Sequence, residues 1–264
     1  MKIAKENNQY YGRYIERGIA DLSAGKSIQN YENFNFGSQE LAEMNKDITT
    51  IVEYLHSNNI QYIGNHTANA NGDLIVDNQI VEIKYTDGTM GTYFNTSVEY
   101  VKELGYISYI DYLKQHNYYD KLEELGITPN RDNKSPVSIE MSKIIRQNKP
   151  IYELIQHYEK GLRDNYVEQL FHFLSANKEK RLQFVKDLIT KRASNKMVPD
   201  RLIVFNHNEK WLREYKKNDI VSIANGENFS FKGSTIKISK AHFTFAWQNG
   251  TGLNNPTIRV FLEG

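Results

Sequence analysis

Residues 73–84 read Asp-Leu-Ile-Val-Asp-Asn-Gln-Ile-Val-Glu-Ile-Lys, a run that few folds can accommodate. Apolar residues lie on both sides of Asp77-Asn78, two residues that tolerate positive φ. The run therefore predicts two strands joined by a two-residue hairpin turn. With 77–78 as the loop, Val76 faces Gln79, and counting outward sets Asp73 opposite Glu82. Directly opposed residues share a face, with Cβ atoms roughly 5 Å apart. Lys84 lies two residues beyond Glu82 and points to the same side. One face then carries two carboxylates and an ammonium, and the other carries Leu74, Val76, Val81 and Ile83.

Two acids at that separation repel each other unless a cation sits between them. A hard divalent ion such as Mg²⁺ takes one or two carboxylates together with water and substrate phosphate. Bound there, it stabilises charge on a phosphoryl oxygen and eases deprotonation of water. A neighbouring lysine neutralises developing charge or orients the attacking water. The bland reading is a surface hairpin with a solvated polar face. The apolar flanks weigh against it, because charges on a strand inside a sheet require a reason.

The remaining chain divides by hydrophobic period. Tyr11, Tyr14, Ile15, Ile19 and Leu22 predict a helix over 10–22, and Leu41 to Leu55 predict another with Ser38 as N-cap. Ile60 to Ile63 reads as a strand. From 97 to 188 the spacing is mainly helical, over 106–113, 151–158, 166–174 and 182–189, with 126–136 as an internal linker. From 199 the pattern returns to strands at 202–205, 229–231, 236–238, 243–247 and 258–262. The expected fold is α/β, a single domain over 1–264. Its catalytic core starts in 1–97, its helical part is 98–198, and its β-rich C-terminal part is 199–264.

Composition narrows the chemistry. The chain has 264 residues, 39% hydrophobic and 25% charged, which is material for a real core. Lys and Arg number 33 against 32 Asp and Glu, so net charge argues neither for nor against nucleic acid. The absence of cysteine excludes disulfides, thiolate catalysis and Cys-ligated zinc. The seven histidines show no metal-ligand spacing; His66, shortly before Asp73, is most simply a loop residue. Apolar runs such as Ile220–Ala224 are too short to span a bilayer, and the polar start lacks a signal sequence, so a cytoplasmic protein without membrane association is expected.

Gly72-Asp73, followed after eight residues by Glu82-Ile83-Lys84, resembles the PD-(D/E)XK motif of type II restriction endonucleases, with Gly72 in the place of the proline. Gly12–Ala20 looks like that superfamily's first helix, which often adds an acid to the site; here it offers Glu16. The likeness covers roughly residues 12–96. It implies a restriction-endonuclease-like central mixed β-sheet flanked by helices. It further implies a Mg²⁺-dependent, sequence-specific endonuclease acting on double-stranded DNA and leaving 5′-phosphate and 3′-hydroxyl ends. Asp73 and Glu82 would hold the metal, Lys84 would assist the water and the transition state, and Glu16 would position metal or lysine. A homodimer on palindromic sites and a cognate DNA methyltransferase as genetic partner are implied as well.

Base readout has two candidate segments. Thr86, Thr89, Tyr93 and Asn95 follow the motif within a Gly- and hydroxyl-rich stretch. Gln248, Asn249, Thr251, Asn254 and Asn255 sit on a Gly/Asn run whose amides suit adenine, although turn geometry alone explains such a composition. Arg259, beyond that run, is either a phosphate contact or a surface charge. Basic residues over 178–201 are interleaved with Glu179 and Asp187, as on a solvated helix face. Two other functions fit the residues less closely: a repair, recombination or modification-dependent nuclease of the same fold, and a non-catalytic DNA-binding protein.

Overall fold

The computed structural model describes residues 8–29, 36–63, 73–86, 94–132, 135–190, 199–216, 228–239, 241–247, 253 and 256–262. In chain order the elements are α1 (Asn8–Ser23), α2 (Ser38–Leu55), β1 (Ile60–Tyr62), β2 (Leu74–Val76), β3 (Gln79–Thr86) and β4 (Phe94–Ser97). A 3₁₀ turn at Val98–Leu104 leads to α3 (Tyr109–Gln115), α4 (Tyr118–Glu124), α5 (Ile139–Gln147), α6 (Lys149–Ala176) and α7 (Lys178–Thr190). Strands close the chain: β5 (Arg201–Asn206), β6 (Trp211–Lys216), β7 (Phe229–Lys232), β8 (Thr235–Ile238), β9 (Ala241–Trp247) and β10 (Pro256–Leu262). The fold is mixed α/β, as expected. Among the described residues no helix is long and apolar enough to cross a membrane.

These elements form two compact units, 1–93 with 190–220, and 94–189 with 221–263. The β-rich stretch from 199 therefore divides between them. The first unit contains a five-stranded sheet in the order β1-β2-β3-β5-β6. It is mixed: β3 pairs antiparallel with β2 and parallel with β5. Its core draws Tyr11, Tyr14, Ile15 and Ile19 from α1, Met44, Ile48, Ile51 and Leu55 from α2, and Val81, Ile83, Ile203 and Phe205 from the strands. The helical residues recur at three and four, which makes one apolar stripe per helix. Gly18 permits the two helices to meet, since a Cβ there would lie 2.4 Å from Ile48 Cδ1. Helix α2 begins at Ser38, so the cap is Gly37, one residue earlier than predicted; its N–H donates to the Glu40 carboxylate at 3.1 Å.

The second unit holds the antiparallel sheet β4-β10-β9-β8-β7 with helices α3 to α7. Strand β9 alternates strictly, burying Phe243, Phe245 and Trp247, and α6 and α7 place Tyr166 on Phe245 and Phe184 on Phe243. The segments predicted as separate helices at 151–158 and 166–174 are one continuous helix. Strands β4 and β6 and helices α4 and α5 lie outside the predicted elements.

Candidate active site

The hairpin is built as its sequence requires. Asp77 and Asn78 take φ of 50° and 65°, the left-handed pair of a type I′ turn. Ser57 Oγ donates to Asp77 Oδ1 at 2.7 Å and fixes the turn from outside. Pairing runs Val76↔Gln79, Ile75↔Ile80 and Leu74↔Val81, and Asp73 stands just beyond the last of these pairs. Strand β5 completes the frame on the other side of β3. Asp200 clamps the two together: its Oδ2 accepts from Ile80 N–H at 2.9 Å and its own N–H donates to Ile80 O at 2.8 Å.

Asp73 ends the β2–β3 ladder with its side chain. Its N–H donates to Val81 O at 2.9 Å, and its Oδ2 accepts the next available amide, Ile83 N–H, at 2.8 Å. Glu82 Oε1 makes an ion pair with Lys84 Nζ. Asp73 and Glu82 are each 2% exposed, so the polar face of this hairpin is buried and the solvated-surface reading fails. Glu16, on α1, is 8% exposed and senses the same group of charges. Burial first, then the Asp73 carboxylate and, more weakly, Glu82, push its carboxyl up to about 8, against the opposing pull of Lys84 and Arg13. Residues 16, 73, 82 and 84, far apart in the chain, thus share one electrostatic neighbourhood.

Among the described residues no three His, Asp or Glu side chains stand ready as a metal cage. The donor set instead offers hard carboxylate oxygens from two adjacent strands, with an ammonium against one of them. That set fits Mg²⁺, which keeps several waters and takes only one or two protein carboxylates. It does not fit zinc, which favours nitrogen and sulfur donors.

Of the residues proposed to contact DNA, Thr86 ends β3 opposite Asn206, and Asn95 lies in β4 opposite Arg259. Thr89, Tyr93, Gln248, Asn249, Thr251, Asn254 and Asn255 lie outside the described residues.

A polar network centred on buried Asp47 has no counterpart in the sequence reading. Tyr85 OH donates to Asp47 Oδ2 at 2.7 Å, and His207 Nδ1 lies 2.7 Å from that hydroxyl and 2.8 Å from the same oxygen. Lys210 Nζ donates to Asp47 Oδ1 at 2.7 Å. Burial, then Asp47, hold the Tyr85 phenol well above its ordinary value, so it remains a neutral donor. The network ties α2, β3 and the residue after β5 together. Its one signal in the sequence is Asp47 itself, an acid set among the apolar positions Met44, Ile48 and Ile51.

No known family profile matches this chain, and no curated protein matches it. Among solved structures, the restriction endonuclease MspI in complex with its cognate DNA is similar over 98% of this chain and 93% of that one, at 14% identity and a TM-score of 0.42. A superposition that loose and an identity that low leave the chemistry to be argued from this chain's own side chains.

Proposed function

We propose that the protein is a Mg²⁺-dependent endonuclease of the type II restriction kind, which cuts double-stranded DNA at a specific sequence. What supports this reading is the burial of Asp73 and Glu82 in one group of charges with Glu16, with Lys84 paired to Glu82. Burying two carboxylates in one group of charges is costly unless a cation offsets them. Asp73 and Glu82 would hold the Mg²⁺, which when bound stabilises phosphoryl charge and acidifies water. Lys84 supplies an ammonium beside that pair, able to orient the attacking water or to neutralise charge growing on the phosphoryl oxygen. Glu16, whose carboxyl is pushed up to about 8 by burial and by Asp73, acts as a positioning residue for this group. In the reaction the water oxygen bonds to phosphorus, the bond from phosphorus to O3′ breaks, and O3′ takes up a proton. The products are a 5′-phosphate and a 3′-hydroxyl.

Double-stranded DNA is the proposed partner, bound by a homodimer on a two-fold symmetric site, with a methyltransferase of the same sequence specificity protecting the host. The test is digestion of unmodified plasmid and phage DNA with and without Mg²⁺, followed by sequencing of the ends. Discrete fragments with one shared end sequence support the proposal. Cutting confined to junctions or to methylated DNA redirects it to a repair or modification-dependent nuclease, and no cutting of any DNA overturns it.

A further inference from the structure

The register of the first unit's sheet carries the face of the carboxylate cluster sideways to its edge. Glu82 pairs with Leu202 and Leu202 with Tyr215; Lys84 pairs with Val204 and Val204 with Arg213; Thr86 pairs with Asn206 and Asn206 with Trp211. Paired positions on neighbouring strands project to the same face. Val81, Ile83, Ile203 and Phe205, with Leu212 packed against them, turn the other way into the core. The face that carries Glu82 and Lys84 thus continues across β5 to Trp211, Arg213 and Tyr215 on β6, the edge strand.

Lys84 and Arg213 are the cations that the strands place on this face, and they stand in one row with apolar Val204 between them. Lys84 is matched by Glu82. On the opposite face Arg201 is matched as well, donating Nε–H and Nη2–H to the two oxygens of Glu214 at 2.9 and 2.8 Å. Arg213 is built differently. Its Cζ lies 4.6 Å from the centre of the Trp211 ring, and Trp211 Nε1–H donates to Glu209 Oε2 at 2.7 Å, which fixes the ring. Among the described residues no carboxylate lies within ion-pair distance of Arg213. Both Trp211 and Arg213 are partly exposed. A guanidinium stacked on an indole is held in place while the N–H donors round its rim stay available to the paired oxygens of a phosphate.

A group of carboxylates repels a phosphate backbone, so a DNA strand brought to Asp73 and Glu82 has to be held by cations beside them. Strand spacing puts Arg213 roughly 10 Å across the sheet from Lys84. One strand of a duplex carries one phosphate per about 3.4 Å of helix axis, so that offset is about three phosphates. We infer that Arg213, backed by Trp211, binds a backbone phosphate on the flank of the carboxylate cluster, about three phosphates from the one that reacts. The inference rests on DNA being the substrate, and it makes the contact one that positions the strand without reading its sequence.

The test is binding, followed without Mg²⁺ by the anisotropy of a labelled mixed-sequence duplex over a series of salt concentrations. Arg213→Gln should weaken binding by about tenfold, the loss of one charged contact, and should make the plot of log affinity against log salt shallower by about 0.9, one phosphate. Arg213→Lys keeps the charge and should keep the parent slope. Trp211→Phe keeps a ring for the guanidinium and should bind like the parent. An unchanged slope in Arg213→Gln overturns the proposal whatever its affinity, because a residue that only packs releases no counterion. If Arg213→Gln fails to fold, the Arg213 Nε–Hε resonance of the unaltered protein decides: a shift with duplex beyond that with matched salt supports the contact, and none overturns it. A parent protein that cuts DNA but whose slope is untouched by Arg213→Gln overturns this proposal alone. One that binds duplex through Arg213 without cutting it overturns the nuclease reading alone, and one that binds no duplex overturns both.

Discussion

Asp73 does two things that can be pulled apart. It shares a buried group of charges with Glu82 and Glu16, and it satisfies Ile83 N–H with its shape. Asp73→Asn keeps an oxygen for that amide, so its melting temperature should stay near the parent value while cleavage falls by about 10²-fold or more. Asp73→Ala removes the acceptor too and should lose a further 1–3 kcal/mol of stability, about the cost of a buried unpaired amide, measurable by denaturant unfolding. Lys84→Ala should behave like Asp73→Asn, with folding retained and cutting lost. Glu16 gives a pH signature. The unfolded chain releases this proton near 4.5, whereas the folded one retains it to about 8. Between those values the folded state binds the extra proton, so stability should decline as pH rises through the window and level off above it. Glu16→Gln should flatten that decline, and Mg²⁺ without DNA should raise the melting temperature more at pH 8 than at pH 6. At this scale the sequence was informative where chemistry is local. Asp73, Glu82 and Lys84 follow from counting around one turn. The partners Asp47 and His207, 160 residues apart, meet only through the tertiary fold.

Strand β3 carries the site because it is held from both sides, by β2 through a tight turn and by β5 through Asp200. Asn78, at φ 65°, should accept glycine with unchanged or slightly higher stability, whereas Asn78→Val should cost about 1–2 kcal/mol, since a β-branched residue resists the left-handed region. Thermal melts of the two variants separate the turn's conformational demand from its chemistry. Elements whose apolar residues keep a clean period were legible: α1, α2, the hairpin, β5 and β9. Helix α6 broke into two on paper because residues 159–165 are mostly polar and include Gly161, while the backbone helix runs on. Strand β6 was missed because Arg213 and Glu214 break its alternation. Glu214 is in fact neutralised across the strand pair by Arg201 at 2.8 Å, a pairing invisible until β5 and β6 are neighbours.

The chain leaves the first unit after residue 93 and returns to it at 190. Consequently β3 and its parallel neighbour β5 cannot pair until residues 201–206 have been made. A fragment ending at residue 93 lacks that neighbour and leaves β3 with an open edge. It should show no cooperative thermal transition by circular dichroism and should associate on a sizing column. This wiring was the least readable property of the sequence, because nothing in the pattern of residues 199–264 says that its first two strands join one sheet and its last four another. The same wiring makes the linker at 126–136 an unusual place to divide the molecule. A cut there separates β3 from β5 and also β4 from β10, so each half inherits incomplete sheets from both units. If the proposed function holds, two such halves would be inert apart and would regain cutting only on encounter, a coincidence detector written into the order of the strands.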